Sequence, residues 1–366
     1  MPLVQSAITI VLFIAILFVV VLVHEVGHFI ASRAARVRVH EFGIGFPPRA
    51  KVLGSDHETL YTLNWLPIGG FVKLEGEDGD SEDERSFTRA RLPVKVGILV
   101  AGVLMNVLLA FVIFFGIALL ATPLAKITWD DVQADSPAAT AGLVAGDGLY
   151  AIDGRTFDYF AGPDPVIAEL RAHAGQQVVL GIVHADGSKA DVTATLRPES
   201  EIGPTKGALG ISGLRFTPTG DYAQTDFVTA LRLGAQRTVS ALLLIVEGLG
   251  QLASSIFAHP TTAPPVTGPV GIAVQVGDVF WQLGPIFTLY FVGLLSANLA
   301  LVNILPFPPL DGGRVLMTLI KSVAGARLSV QAERLTYLVG FVALFGLIIW
   351  ITFFDVIRQI AGGATP

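Results

Sequence analysis

Four long stretches of this chain contain no charged side chain, and their spacing sets the architecture. Met1 to Val23, Val96 to Ala125, Phe280 to Leu305 and Leu335 to Phe354 lack Asp, Glu, Lys and Arg. Each reaches the roughly 20 apolar residues that a helix needs to cross a bilayer. The pattern predicts an α-helical polytopic membrane protein with four transmembrane helices. Between them lie a segment rich in basic residues (Ala31 to Lys95), a large soluble segment (Lys126 to about Val279) and a short connection (Pro306 to Arg334). The stretch Asp226 to Ala258 is harder to place. Its apolar core, Thr238 to Val246, is only nine residues long between Arg237 and Glu247. That is too short to cross, so it is predicted to be a helix outside the bilayer core, packed on the protein or lying at the interface.

Inside the soluble segment the period changes. Val178 to His184 and Asp191 to Leu196 alternate in polarity around Asp186-Gly187, which predicts a β-hairpin. Ser136-Pro137 has the form of an N-cap followed by proline at the first helical position. The chain divides into a first membrane half (1–125), a β-rich domain (126–220), a helical linker (221–279) and a second membrane half (280–366).

Composition sharpens this picture. Of 366 residues, 52% are hydrophobic and only 15% charged. Soluble proteins carry nearer a quarter charged residues, so the class is a membrane protein with some soluble mass. A net charge of −6 argues against nucleic acid as a partner. The absence of cysteine excludes thiol catalysis, disulfides and Cys-ligated zinc. The N-terminal apolar run lacks a basic leader, and cleavage after it would separate it from the histidines at 24 and 28, so it reads as a span rather than a signal peptide. Arg33, Arg36 and Arg38 come directly after the first span, and Arg85, Arg89, Arg91 and Lys95 precede the second. Arg314, Lys321, Arg327 and Arg334 lie between the last two. By the positive-inside rule these segments are cytoplasmic, and the N-terminus and soluble domain are extracytoplasmic.

Chemistry concentrates at two span ends. His24-Glu25-Val26-Gly27-His28 closes the first. On a helix the two histidines stand one turn apart on one face, where both imidazoles reach a single zinc ion, and Glu25 beside it can take a proton from water. Burying such groups at membrane depth is costly unless they coordinate or pair. The third span ends in Asn303-Ile304-Leu305-Pro306-Phe307-Pro308-Pro309-Leu310-Asp311-Gly312-Gly313. Its prolines free backbone carbonyls, which membranes tolerate inside protein or beside a watery cavity. Asp311 then offers a carboxylate as third metal ligand, leaving a fourth position for water. For this segment alone the alternative is a helix exit in which Asp311 simply caps the next turn of chain. Topology favours the ligand reading, because four spans bring Asp311 to the same cytoplasmic side as His24 and His28.

These motifs together resemble the site-2 protease family of intramembrane zinc metalloproteases, in its bacterial branch. The resemblance rests on HExxH in the first span and Asn-x-x-Pro-x-Pro-x-Leu-Asp-Gly-Gly in the third. Pro67-Ile68-Gly69-Gly70-Phe71-Val72-Lys73-Leu74 and Gly268-Pro269-Val270-Gly271-Ile272-Ala273 add to it. Asp135 to Leu143, followed by Gly146-Asp147 and Ile152-Asp153-Gly154, resembles a bacterial PDZ domain inserted between the second and third spans. Gly207-Ala208-Leu209-Gly210-Ile211 resembles the loop with which such domains hold a peptide C-terminus, the alternative being glycines that only turn the chain. Glu41 to Phe46 with Tyr61 to Lys73 resembles the family's small re-entrant β-hairpin, the alternative being a cytoplasmic hairpin without substrate contact. The acidic run Glu75 to Glu84 reads as a solvated loop. One PDZ domain fits where some members have two, and Val103 stands where the family usually has proline.

The resemblance implies an endopeptidase of the bacterial inner membrane that cuts single-span membrane proteins in their apolar segments, such as anti-sigma-factor-like regulators or remnant signal peptides. It implies zinc on His24, His28 and Asp311, Glu25 as general base, and Asn303 holding substrate backbone or the developing oxyanion. The lipid bilayer and peptide C-termini at the PDZ domain are the other partners implied. The competing reading is a membrane-anchored PDZ peptide-binding protein with a vestigial metal site.

Overall fold

The computed structural model describes residues 3–77, 81–203, 206–258, 262–324 and 330–361. Part of the acidic run (78–80) and Arg327 therefore lie outside the described residues. The chain forms two compact units, Met1–Phe115 with Leu231–Pro366, and Gly116–Ala230.

The first unit opens with α1 (Leu3–Ala34), a 32-residue helix without a charge before Glu25. A long antiparallel hairpin comes next, β1 (Val39–Ser55) and β2 (Leu60–Leu74). Its register shifts repeatedly, and Ile44 pairs with both Gly70 and Leu63, so the ribbon curls back on itself. Two glycines seat it on α1. A Cβ on Gly69 would lie 2.5 Å from Val21 Cγ1, and one on Gly70 would lie 2.8 Å from the Gly43 carbonyl oxygen and 3.6 Å from Glu25 Cγ. The strand thus runs beside the first histidine motif only because these positions carry no side chain.

Helix α2 (Leu92–Leu120) returns along α1. Gly27 permits the contact, since a Cβ there would meet the Ala101 carbonyl oxygen at 2.5 Å and Met105 Cγ at 2.7 Å. Val37, Val39, Leu74, Phe87, Ile98 and Leu99 form one buried cluster at this end, and Ile16, Val20 and Val276 anchor a second.

The second unit is β-rich. In chain order it contains β3 (Thr122–Thr128), β4 (Asp131–Val132), α3 (Pro137–Thr140), β5 (Gly148–Ile152), β6 (Arg155–Thr156), α4 (Asp164–Ala172), β7 (Gln177–Val183), β8 (Lys189–Thr195), β9 (Ile211–Ser212) and β10 (Arg215–Ala223). The main sheet has the order β10-β3-β5-β7-β8, with β6 beside β5, and β4 pairs separately with β9. Trp129, Leu149, Ile152, Leu180, Ile182, Leu196 and Leu209 fill its core. Ser136 caps α3, its Oγ accepting from the Ala139 N–H at 3.1 Å. The β7–β8 turn at Asp186-Gly187 is where the sequence places it, with Gly187 at φ +87°.

Helix α5 (Phe227–Ala258) is one continuous element of 32 residues. Charged side chains at Arg232, Arg237 and Glu247 bound the apolar run but do not interrupt the backbone hydrogen bonds, so the helix is far longer than its charge-free core. By length and composition it joins α1, α2, α7 (Pro285–Asn303) and α9 (Val330–Ile360) as a fifth candidate span. Helix α6 (Pro269–Asp278) passes into a π-helical turn (Val279–Leu283) before α7. Helix α8 (Asp311–Ala324) begins at the acid that ends the proline segment.

Candidate metal centre

The two histidines arrive from α1 and the acid from the first residue of α8. His24 Nε2 lies 2.9 Å from Asp311 Oδ2 across a separation of 287 residues. His28 Nε2 is 3.1 Å from His24 Nε2 and 3.2 Å from Asp311 Oδ2. Among the described residues these three form a group whose ligand atoms all lie within 4.8 Å of one another. The rings meet edge to face at 84°, as side chains four apart on a helix do when their tips converge. His24 is buried, and His28 and Asp311 are half-buried. Burial pushes the Asp311 carboxyl up, but its hydrogen bonds with His24 and His28 outweigh that and hold it below the usual carboxylate range.

Asp311 is delivered by the two glycines after it. A Cβ on Gly312 would fall 2.0 Å from the Ile304 carbonyl oxygen, and one on Gly313 would fall 2.5 Å from the Phe307 carbonyl carbon. The start of α8 therefore folds back against the end of α7 at a distance that only glycine permits. Asn303 is the last residue of α7, half-buried, on the same turn-back. Glu25 is half-buried on α1, facing Gly70 of β2 and within electrostatic reach of His24, His28 and Asp311.

Helix α2 supplies a wall that the motifs do not announce. His28 Nδ1 lies 2.8 Å from the Ile98 carbonyl oxygen, and His24 Nδ1 lies 3.3 Å from Asn106 Nδ2. Between them, a Cβ on Gly102 would meet His28 Nε2 at 2.5 Å and His24 Nε2 at 2.8 Å. Ile98, Gly102 and Asn106 are spaced by four, on one helix face. A signal is present in the chain, because Asn106 is the one amide side chain in the charge-free run Val96 to Ala125.

The acidic run differs from expectation. Glu77 Oε1 accepts from Arg314 Nη2 at 2.5 Å and Glu77 Oε2 accepts from the Leu74 N–H at 3.0 Å. Glu75 accepts from Ser81 and pairs with His40. The described ends of this segment are thus fastened to the fold rather than solvated, because opposite charges and backbone donors lie within reach.

The donor set suits zinc. Two imidazole nitrogens and a carboxylate oxygen are its usual three protein ligands with a fourth position open, and bonds of about 2.0–2.1 Å in a tetrahedron separate ligand atoms by roughly 3.3 Å. The observed 2.9, 3.1 and 3.2 Å sit close to that edge. The space over the nitrogens is the space a Cβ on Gly102 would fill.

Comparison with known proteins adds an independent line. A family model described as peptidase family M50 matches residues 12–347. A Clostridium perfringens protein carrying a zinc metalloprotease name is 31% identical over 342 residues, covering 93% of this chain and 96% of its own length. The zinc metalloprotease RasP of Geobacillus kaustophilus is 26% identical, covering 96% and 99%. A Nostoc protein, again with a zinc metalloprotease name, is 30% identical, covering 91% and 92%.

Proposed function

Because the chain belongs to peptidase family M50, the site-2 protease family, and is a zinc metalloprotease of the membrane, we propose that it cleaves the apolar segments of single-span membrane proteins. Anti-sigma-factor-like regulators and remnant signal peptides have the required form. The observation that carries the reading is the convergence of His24, His28 and Asp311, three polar groups at the ends of apolar helices, on one point.

In this reading His24 Nε2, His28 Nε2 and an Asp311 oxygen hold the zinc. Bound there, zinc supplies Lewis acidity toward the scissile carbonyl and toward a water. Glu25 takes a proton from that water as its oxygen attacks the carbonyl carbon, and returns the proton to the amine nitrogen as the C–N bond breaks. Asn303, at the turn before Asp311, donates to the substrate backbone or to the oxyanion. The curled β1–β2 ribbon beside Glu25 offers a strand edge with which an unwound substrate can pair, exposing a peptide bond that a helix would hide.

The same reading has four spans in a bacterial inner membrane, with the site near the cytoplasmic side. His24 lies 21 residues beyond Leu3 on α1, about 32 Å of helix, so it sits near the far end of that span. Contact between His24 and Asp311 needs an even number of crossings between them, which α2 and α7 provide and a crossing α5 would spoil. The β-rich unit is then extracytoplasmic and acts as a PDZ domain that binds peptide C-termini or limits substrate size. Gly210, at φ +81° with Ser136 Cβ 2.3 Å from its would-be Cβ, gives its glycine loop a backbone path closed to other residues.

The test is reconstitution of the full chain in liposomes with a single-span reporter. Glu25→Gln is expected to lose about 10²–10⁴-fold in cleavage rate while keeping its zinc. His24→Ala, His28→Ala and Asp311→Ala are expected to lose zinc. Normal zinc content and cleavage in Asp311→Ala would overturn the ligand set.

A further inference from the structure

A histidine that binds a metal through Nε2 carries its single proton on Nδ1, and that N–H needs an acceptor. His28 meets the requirement directly, because the Ile98 carbonyl oxygen 2.8 Å from its Nδ1 can only accept. For His24 the group in reach is the side-chain amide of Asn106. That side chain is fully buried, its nitrogen lies 3.3 Å from His24 Nδ1, and its oxygen has no hydrogen-bond partner among the described residues.

With Nδ1 protonated, this arrangement would oppose two donors. The two ends of an amide are isosteric, and a half-turn about the Cβ–Cγ bond exchanges them. The oxygen gives up no hydrogen bond in that turn, since it makes none. We propose that Asn106 is the positioning residue for His24: its amide oxygen accepts from His24 Nδ1–H, fixes the tautomer, and aims Nε2 at the metal. Helix α2 then orients both imidazoles from one face, through a backbone carbonyl at Ile98 and, two turns on, a side-chain carbonyl at Asn106. The pair differs in one respect that makes the idea testable, because only the second acceptor can be removed by substitution.

The inference rests on the ligand set proposed above, and the experiment separates the two. Zinc affinity of the full-length protein in detergent is measured by competition with a chromophoric chelator, beside a thermal melt. Asn106→Leu keeps the volume and removes the acceptor; zinc binding is expected to weaken about 10–100-fold. Asn106→Asp keeps an acceptor and should stay within about threefold of the parent. Ser296→Ala is the packing control, because Ser296 Oγ donates to the Asn106 backbone oxygen at 2.8 Å and does not touch the imidazole. It is expected to lower the melting temperature without changing zinc affinity. Should Asn106→Leu fail to fold, Asn106→Ala is read the same way. A folded variant without the acceptor that binds zinc within twofold of the parent, or an Asp variant as weak as the Leu variant, would overturn the proposal. If His24→Ala also keeps full affinity, the ligand set itself has failed; if His24→Ala loses zinc, only the role of Asn106 has.

Discussion

Arg314 and Glu77 join two parts of the chain that meet only in the folded protein: the helix that begins with Asp311 and the turn at the end of β2. Arg314 lies one turn beyond Asp311, and Glu77 lies three residues beyond the strand that passes Glu25. The pair therefore fixes the helix that carries Asp311 against the strand that passes Glu25. Glu77 also holds the Leu74 N–H through its other oxygen, so the end of β2 is pinned by the same carboxylate.

Removing the carboxylate leaves a half-buried guanidinium and a backbone N–H without their acceptor. Glu77→Ala is expected to cost about 1–3 kcal/mol, the usual penalty for stranding such groups. Glu77→Gln should cost less, because the amide oxygen still accepts from one donor. Thermal melting of the purified variants checks this. An Ala variant as stable as the parent would show that the pair contributes nothing measurable, as is common for exposed ion pairs.

Gly102 gives a sharper expectation. Its would-be Cβ overlaps Nε2 of both His24 and His28, whereas Gly97 on the same helix has nothing within 4 Å of its own. Gly102→Ala should force the histidines or the α1–α2 crossing apart, costing roughly 1–3 kcal/mol and at least about tenfold in zinc affinity. Gly97→Ala should be neutral or slightly stabilising, because alanine is the better helix former. Zinc titration of both variants decides it; equal affinities would mean that the wall formed by α2 is softer than its geometry.

Asp355 explains an acid inside the last apolar helix. It is buried and accepts from the backbone N–H groups of Gly271 at 2.9 Å and Gly268 at 3.3 Å, at the start of α6. The Gly268-Pro269-Val270-Gly271 motif is thus a docking point for α9, with an acid at a helix N-terminus where the dipole favours it. Asp355→Asn should retain most of the stability and all of the zinc, and Asp355→Leu should lose about 1–3 kcal/mol in a melt. Loss of zinc in the Asn variant would tie Asp355 to the metal centre instead of to α6.

How much of the fold and site is legible in the chain depends on which interactions are local. His24, Glu25 and His28 declare themselves through helical spacing, and Asp311 through the prolines and glycines around it. Gly102 and Asn106 carry no motif of their own, since what they touch is set by the crossing of α1 and α2. Glu77 is hidden by its neighbours, because an acidic run reads as solvated until Arg314 is brought beside it. The extent of α5 is legible, since Phe227–Ala258 matches the stretch from Asp226 to Ala258 read as a helix, but its length and composition also make it a candidate span, which a reading confined to its nine-residue charge-free core does not expect.

That helix decides the topology. With 32 residues, about 48 Å, α5 is long enough to cross, yet the contact between His24 and Asp311 requires an even number of crossings between them, and α2, α5 and α7 are three candidates. Exposed charges at Arg232 and Glu247 favour a path at the interface, where such side chains reach water. The chain has no cysteine, so single cysteines report sides without background. Ser188, in the β7–β8 turn, should react with a membrane-impermeant thiol reagent, once replaced by cysteine, when the outer envelope is opened. Ser322, on α8, should stay protected until the inner membrane is broken. Ser255, near the end of α5, is the deciding position and is expected to label from outside. Protection at Ser255 combined with outside labelling at Ser322 would place Asp311 across the membrane from His24, and no single metal ion could then join them.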